Sequence, residues 1–199
     1  MKIQSTQEKE YADYLVKAQG VGWKNMLDVQ RPYRINLQRL SLGKTLDIGC
    51  GIGRNLKSLP NGSVGIDHNT YMVNDLVKQG YLAYTASGFK KSKYSKNELF
   101  DALLFAHIIE HMSSEDTEKM IRDYLKYLKK GGKMVIICPQ KKGFSKDSTH
   151  IKFHNRESIS ALLSRLNLVI LKKQSFPLPE IFGSIFAPNE FWVVAKKAG

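Results

Sequence analysis

Cysteine is scarce in this 199-residue chain. Cys50 and Cys138 are its two cysteines, one in a glycine-rich turn and one at the end of an apolar run. That spacing suits neither a disulfide framework nor a zinc site, and it points to a reducing, cytoplasmic compartment. Long apolar runs are lacking too, so no membrane span is expected, and no charged-then-apolar leader is expected at the start. Negative charge is in short supply: 18 Asp+Glu stand against 31 Lys+Arg, a formal net charge of +13. A balance this basic attracts polyanions such as RNA, although a lysine-rich solvated surface produces the same number. No internal repeat and no low-complexity linker divides the chain, and a hydrophobic content of 42% is that of one ordinary globular domain.

The informative stretch is 44–56. Leu46 and Ile48 belong to a short buried strand, Asp47 stands near its carboxyl end, and Gly49, Gly51 and Gly53 make a turn almost without side chains. A helix is expected from Arg54. A strand, a bare turn and a helix start form a cradle in which backbone N–H groups approach a ligand closely. A second acid, Asp67, ends the next apolar run, Val64-Gly65-Ile66. The glycines fall as G-x-G-x-G, whereas a dinucleotide fingerprint is G-x-G-x-x-G, and the third glycine of that fingerprint would fall on Arg54. Asp47 would repel a pyrophosphate and attract an amine. Two strand-end carboxylates beside a glycine turn suit a ligand with an amine and a ribose.

From Lys44 onward strands and helices alternate, which predicts an α/β fold with a doubly wound, mostly parallel sheet. Strands are expected near 44–48, 64–67, 82–85, 100–106, 133–138, 168–175 and 190–196. Helices are expected over 114–129, ended by Gly131 and Gly132, and over 155–166, capped by Asn155. Before the first strand, residues 1–43 are expected to form a helical cap over the cofactor site. It would hold a helix over 5–19 with Tyr11, Tyr14, Leu15 and Ala18 at helical spacing, then Trp23, Met26 and Leu27, and Pro32 would start or interrupt a further helix. Residues 139–154 leave the end of a strand and form a candidate substrate lid.

Four segments in this order resemble the class I S-adenosylmethionine-dependent methyltransferases, close to the type 11 small-molecule group. They are Leu46 to Gly53, Val64 to Asp67, Phe100 to His111, and Leu128 to Ile136. The resemblance covers about 44–197 and implies a seven-stranded sheet whose last strand inserts antiparallel between the fifth and sixth. It implies S-adenosylmethionine as cofactor and S-adenosylhomocysteine as product. The residues that would hold the cofactor are Asp47, Gly49, Cys50, Gly51, Gly53, Asp67, His68, Ser87 and Ala106. His68 replaces the apolar side chain usual beside the adenine, and Thr85-Ala86-Ser87-Gly88 lacks the acid that often binds the adenine amine.

His107, His150 and His154 are the candidate catalytic residues, since an imidazole titrates near working pH. His150 and His154 have surface or capping roles as the alternative. His107-Ile108-Ile109-Glu110-His111 also fits the H-x-x-E-H pattern of helical zinc sites. It falls at a strand end rather than within a long helix, so no metal is expected, and Glu110 and His111 are expected to hydrogen-bond to nearby backbone. Gln30, Tyr33 and Arg34 are candidates to close over the cofactor carboxylate, or else pack as part of the cap. The expected function is methyl transfer to a small-molecule acceptor. RNA methylation, suggested by charge, and non-catalytic cofactor binding are the alternatives, with a nicotinamide oxidoreductase behind them. The motif N/D-P-P-Y/F/W, which serves exocyclic amines, is absent after the fourth strand, and no oligomeric state is implied.

Overall fold

The computed structural model describes residues 28–199. The helix expected over 5–19, with Trp23, Met26 and Leu27, lies outside the described residues. The strands form a seven-stranded sheet in the order β3-β2-β1-β4-β5-β7-β6. They are β1 (Thr45–Ile48), β2 (Val64–Asp67), β3 (Ala83–Thr85), β4 (Phe100–Ala106), β5 (Leu128–Pro139), β6 (Leu168–Phe176) and β7 (Glu190–Lys197). The chain divides into two compact units, the first ending at Ser92 and the second running Lys93–Gly199.

In the first unit β1, β2 and β3 are parallel, with Leu46 opposite Val64 and Gly65 opposite Ala83. Helix α1 (Arg31–Gln38) precedes them, and Pro32 sits in its first turn, so this proline starts a helix. Helix α2 (Thr70–Lys78) begins at Asn69, whose side-chain oxygen accepts the N–H groups of Tyr71 and Met72. Its Val73 and Leu76 pack with Cys50, Leu56 and Ala83 into one apolar cluster. The lysine-rich stretch after β3 opens with a short helix, α3 (Ala86–Lys91), capped by the Thr85 hydroxyl.

The helix expected from Arg54 is a single 3₁₀ turn, Leu56–Ser58. Pro60 explains the difference: its ring disfavours helical backbone at the residue before it, and Leu59 is extended at ψ 157°.

In the second unit β4 and β5 are parallel, β7 runs antiparallel to β5, and β6 runs antiparallel to β7. The antiparallel last strand therefore lies between the fifth and sixth. Strand β4 and the second half of β5, from Met134 onward, read as nearly continuous apolar runs because both of their faces are covered. Phe100, Phe105, Val135 and Trp192 are all but fully buried.

Helix α4 (Ser114–Leu125), capped by Ser113, ends four residues earlier than expected. Tyr127 and Leu128 are buried, and the ladder takes Leu128 opposite Phe100. Gly131 and Gly132 lie inside β5 rather than ending the helix. A Cβ on Gly132 would come 2.6 Å from Leu128 Cδ1 and 3.0 Å from the Asp101 carbonyl, so this strand crossing needs a glycine. After β5 come the one-turn α5 (Lys141–Phe144) and α6 (Arg156–Arg165). The second begins with a complete capping box between Asn155 and Ser158.

Gly65 marks the tightest spot beneath the glycine turn. A Cβ there would lie 2.7 Å from Cys50 Sγ and 2.8 Å from Leu56 Cδ2. Gly65→Ala should destabilise the protein by about 1–3 kcal/mol through overpacking, read as a lower urea midpoint with an unchanged slope.

Candidate functional site

The glycine turn of the first unit is built on backbone that side chains disfavour. Gly49, Gly51 and Gly53 have φ of 75°, 53° and 80°, the left-handed region in which glycine carries no Cβ penalty. The N–H groups of Gly49 and Cys50 both donate to the Ile66 carbonyl, at 2.8 and 3.0 Å, and Gly53 donates to the Cys50 carbonyl at 2.9 Å. These bonds lock the turn after β1 onto the end of β2. Asp67 completes the lock: Oδ2 accepts from Gly51 N–H and Oδ1 from Asn69 N–H, both at 2.8 Å. The helix cap is thus Asn69, and Asp67 is left at the strand end with lone pairs to spare, since an ionised carboxylate has about four acceptor sites.

Asp47 differs from the other carboxylates described in this unit. It is 1% exposed, and among the described residues neither oxygen has a hydrogen-bond partner within normal reach. Desolvation raises its carboxyl pKa to about 7; the neighbouring charge of Asp67 adds to the rise, and the Leu56 backbone N–H pulls the other way. A buried, unpaired acid is costly unless something cationic or donating meets it.

The remaining residues expected near the cofactor are placed as follows. The Cys50 thiol faces the apolar cluster, and burial pushes its pKa far up, so Cys50 contributes through the shape of the turn. His68 is half-exposed, with Nδ1 3.7 Å from Asp67 Oδ1. Ser87 lies in α3, its hydroxyl 3.3 Å from that of Thr85. Arg34 forms a two-pronged ion pair with Asp28 through both guanidinium Nη atoms, so its charge already has a carboxylate. Tyr33 lies under the guanidinium of Arg54, 5.2 Å from its ring centroid.

The second unit gathers histidines around buried glutamates. Ala106 ends β4 and is buried. His107 follows with φ 56°, an unusual value for a residue with a Cβ. Its Nε2 lies 2.9 Å from Glu190 Oε1 and its Nδ1 3.3 Å from Glu110 Oε1. Desolvation opposes charge on this ring, but Glu190 and Glu110 together outweigh it and hold the pKa up at about 9. Glu190 Oε2 accepts from the Trp192 indole N–H at 2.9 Å.

Ile109–His111 is a 3₁₀ turn, so His107 and His111 do not share a helix face as the zinc-protease pattern requires. Glu110 also departs from expectation. Its backbone carbonyl accepts from Ile151 and Lys152, but its side chain, 1% exposed, makes no hydrogen bond. His111 does bond to backbone, through Nδ1 to the Thr149 carbonyl. His150 Nδ1 donates to the Phe144 carbonyl at 2.8 Å, and the ring stacks on Phe144. His154 is buried with its Nε2 unpartnered, and burial lowers its pKa.

Glu190 is the functional residue that sequence reasoning missed. Its signal is a lone acid opening an otherwise apolar strand, Phe191-Trp192-Val193-Val194.

Fold and glycine turn are those of the Rossmann-like folds found in S-adenosylmethionine-dependent methyltransferases. Residues 46–136 match the sequence profile of a methyltransferase domain. An uncharacterized protein of Methanocaldococcus jannaschii is 34% identical over 94 residues, which is 47% of this chain and 43% of that one. The chain thus spans less than half of the curated relative it matches.

Several solved structures share the fold. An S-adenosylmethionine-dependent methyltransferase from Archaeoglobus fulgidus superposes with a TM-score of 0.62 at 19% identity, covering 87% of this chain and 99% of that one. The N-methyltransferase NodS from Bradyrhizobium japonicum, in complex with S-adenosylhomocysteine, gives 0.63 at 17% identity over 85% and 88%. A chain from the complex of the Haloferax volcanii Trm112 activator with a putative methyltransferase gives 0.71 at 12% identity over 96% and 99%.

Two titrations follow from this geometry. The His107 ring should titrate near pH 9 by NMR, and near the ordinary value of about 6.5 in a Glu190→Gln variant if the ion pair sets it. A raised imidazole pKa stabilises the fold fully below the unfolded value, and the contribution fades as pH rises through 9. The wild type should therefore lose more stability between pH 7 and 10 than Glu190→Gln does.

Asp47 carries the opposite sign. Its unfolded carboxyl ionises near 3.8 and its folded one near 7, so stability falls as pH climbs between these values and stays low above them. Asp47→Asn should be more stable than the wild type by ~1–3 kcal/mol at pH 8, and no more stable at pH 4, in paired urea titrations.

Proposed function

We propose that the protein transfers a methyl group from S-adenosylmethionine to a small-molecule acceptor. The observation that carries this reading is Asp47, a buried carboxylate with no hydrogen-bond partner at normal distance among the described residues, beside a turn of three left-handed glycines. The residues fit the cofactor. Asp47 would accept from its ammonium, the spare lone pairs of Asp67 from its ribose hydroxyls, and the absent side chains at Gly49, Gly51 and Gly53 let it lie against backbone. His68 offers a ring face toward an adenine, and Ser87 a hydroxyl in place of the missing acid.

S-Adenosylmethionine supplies a methyl group already activated on a sulfonium. The chain's own task is therefore alignment, which alone is worth several kcal/mol of barrier. Ala106, at the end of β4, has too small a side chain to obstruct a reacting group. His107, held cationic between Glu190 and Glu110, is fixed in orientation and would direct a polar acceptor by hydrogen bonding or charge. His150 keeps a lone pair on Nε2 because Nδ1 carries its proton toward the Phe144 carbonyl. His154 is held neutral by burial. These are the two imidazoles available to take a proton from an acceptor that must lose one.

Residues 1–43 would cap the cofactor, and residues 139–154 would close over the acceptor. The net charge of +13 favours RNA as the second acceptor class.

Calorimetry tests the cofactor half of the reading. S-Adenosylmethionine and S-adenosylhomocysteine should both bind in the micromolar range, NAD should not, and Asp67→Ala should weaken binding by roughly tenfold or more, the loss of a charge-assisted hydrogen bond. No binding of either sulfur ligand to folded protein would sink it. Acceptor screening with radiolabelled methyl then separates the classes. Transfer to RNA whose affinity falls steeply with salt would favour the second reading, because phosphate contacts release counterions.

A further inference from the structure

The cluster around Glu110 includes His111, to which the proposed methyl transfer gives no task, beside His150, given there as a candidate base. One ligand atom from each of Glu110, His111 and His150 lies within 4.8 Å of the others, and the hydrogen bonds around them dictate which ring nitrogens are free. His150 Nδ1 must donate, because its partner is the Phe144 carbonyl at 2.8 Å. His111 Nδ1 must donate as well. It faces the Thr149 carbonyl at 3.3 Å and the Thr149 hydroxyl at 3.0 Å, and that hydroxyl already gives its own proton to Asp147 Oδ1 at 2.6 Å. Both rings are thereby set in the tautomer that leaves Nε2 with a lone pair.

This is the arrangement by which proteins orient metal-binding imidazoles: the far N–H is tied to a carbonyl or to a carboxylate-bound group. The two rings pack edge to face with centroids 4.7 Å apart. The third member, Glu110, is 1% exposed, and neither of its oxygens makes a hydrogen bond. The contact of His107 Nδ1 with Oε1 at 3.3 Å is its sole ion-pair contact among the described residues, and His107 is shared with Glu190. A buried carboxylate whose one ion-pair contact among the described residues, His107, is shared with Glu190 lies here beside two imidazole lone pairs, an arrangement that favours a further cation.

We propose that Glu110, His111 and His150 bind a borderline divalent transition cation such as Zn²⁺ through two imidazole nitrogens and one carboxylate oxygen. Two nitrogens and an oxygen suit zinc and its first-row neighbours better than magnesium or calcium, which take oxygen donors. Three protein ligands leave a coordination position for water or for an oxygen of a bound molecule. Other charged and titratable groups around the cluster reinforce the site. Asp147 Oδ2 is 3.9 Å from His150 Nε2 and adds negative charge. His107, His154 and Cys138 complete the titratable surroundings of Glu110. The helical pattern H-x-x-E-H is not what carries this site: His107 is committed to glutamates, and the second imidazole comes from His150, 39 positions beyond His111 in the chain.

The 199-residue chain, stripped with a chelator, is dialysed against Zn²⁺ and analysed for bound metal, with circular dichroism reporting the fold. The wild type should hold about one Zn²⁺ per chain, as a mononuclear site does, and should melt at a higher temperature with the metal than without it. Glu110→Gln, which keeps the shape and the backbone bonds to Ile151 and Lys152, should weaken binding by at least about tenfold, as should His150→Ala. His68→Ala, in the other unit, should bind as the wild type does. Should His150→Ala fail to fold, the isosteric Glu110→Gln decides alone. Absence of stoichiometric Zn²⁺ in the wild type, full retention by Glu110→Gln, or an equal loss in His68→Ala would each overturn the proposal.

Discussion

Buried negative charge in need of a positive partner is the constraint around which both units are arranged. The first unit buries Asp47 and Asp67 at the ends of adjacent parallel strands, and the second buries Glu110 and Glu190 around His107. An ionised carboxylate away from water is tolerated only where hydrogen bonds or opposite charge meet it. Asp67 is met by two backbone N–H groups and Glu190 by His107 and Trp192. Among the described residues Asp47 has no hydrogen-bond partner at normal distance, and the Glu110 side chain keeps only the 3.3 Å contact with His107. These two acids are where the described residues leave negative charge for a ligand to meet.

Rigidity of the frame makes that demand specific. The turn of Gly49 to Gly53 is fastened to β2 by its own backbone and by Asp67, and it is supported from below by the Cys50, Leu56 and Leu76 cluster. A packed base of this kind transmits misfit rather than absorbing it. In the second unit the continuous apolar strands β4 and β5 hold Ala106 and His107 at a fixed strand end, and His107 takes a left-handed backbone that brings both ring nitrogens to carboxylates. Of the three non-glycine residues with positive φ in this unit, Glu98, His107 and Asn167, His107 is the one held between buried carboxylates, and backbone strain at such a place is a common mark of a working site.

Much of this was legible in the residue order. Strand positions, the glycine turn, both strand-end acids and the Asn155 cap follow from period, punctuation and capping chemistry, which act over a few residues. Where local rules misled, a longer-range demand had won. Tyr127 and Leu128 left the helical pattern because the β4–β5 ladder buried them, and Pro60 stopped the helix expected at Arg54. The site divided in the same way. Asp47 and Asp67 announce themselves because each lies next to the turn it serves. Glu190 lies 83 positions from His107, and no local signal connects them.

The sequence by itself thus determined the fold class, the glycine turn and the match to a methyltransferase domain, because these rest on patterns among near neighbours in the chain. Tertiary structure alone decided which charges meet. It brought Glu190 and Glu110 to one imidazole, placed His150 beside His111, and left Asp47 with no hydrogen-bond partner among the described residues. Burial and pairing depend on which strands and loops come together in space, and composition holds no record of that.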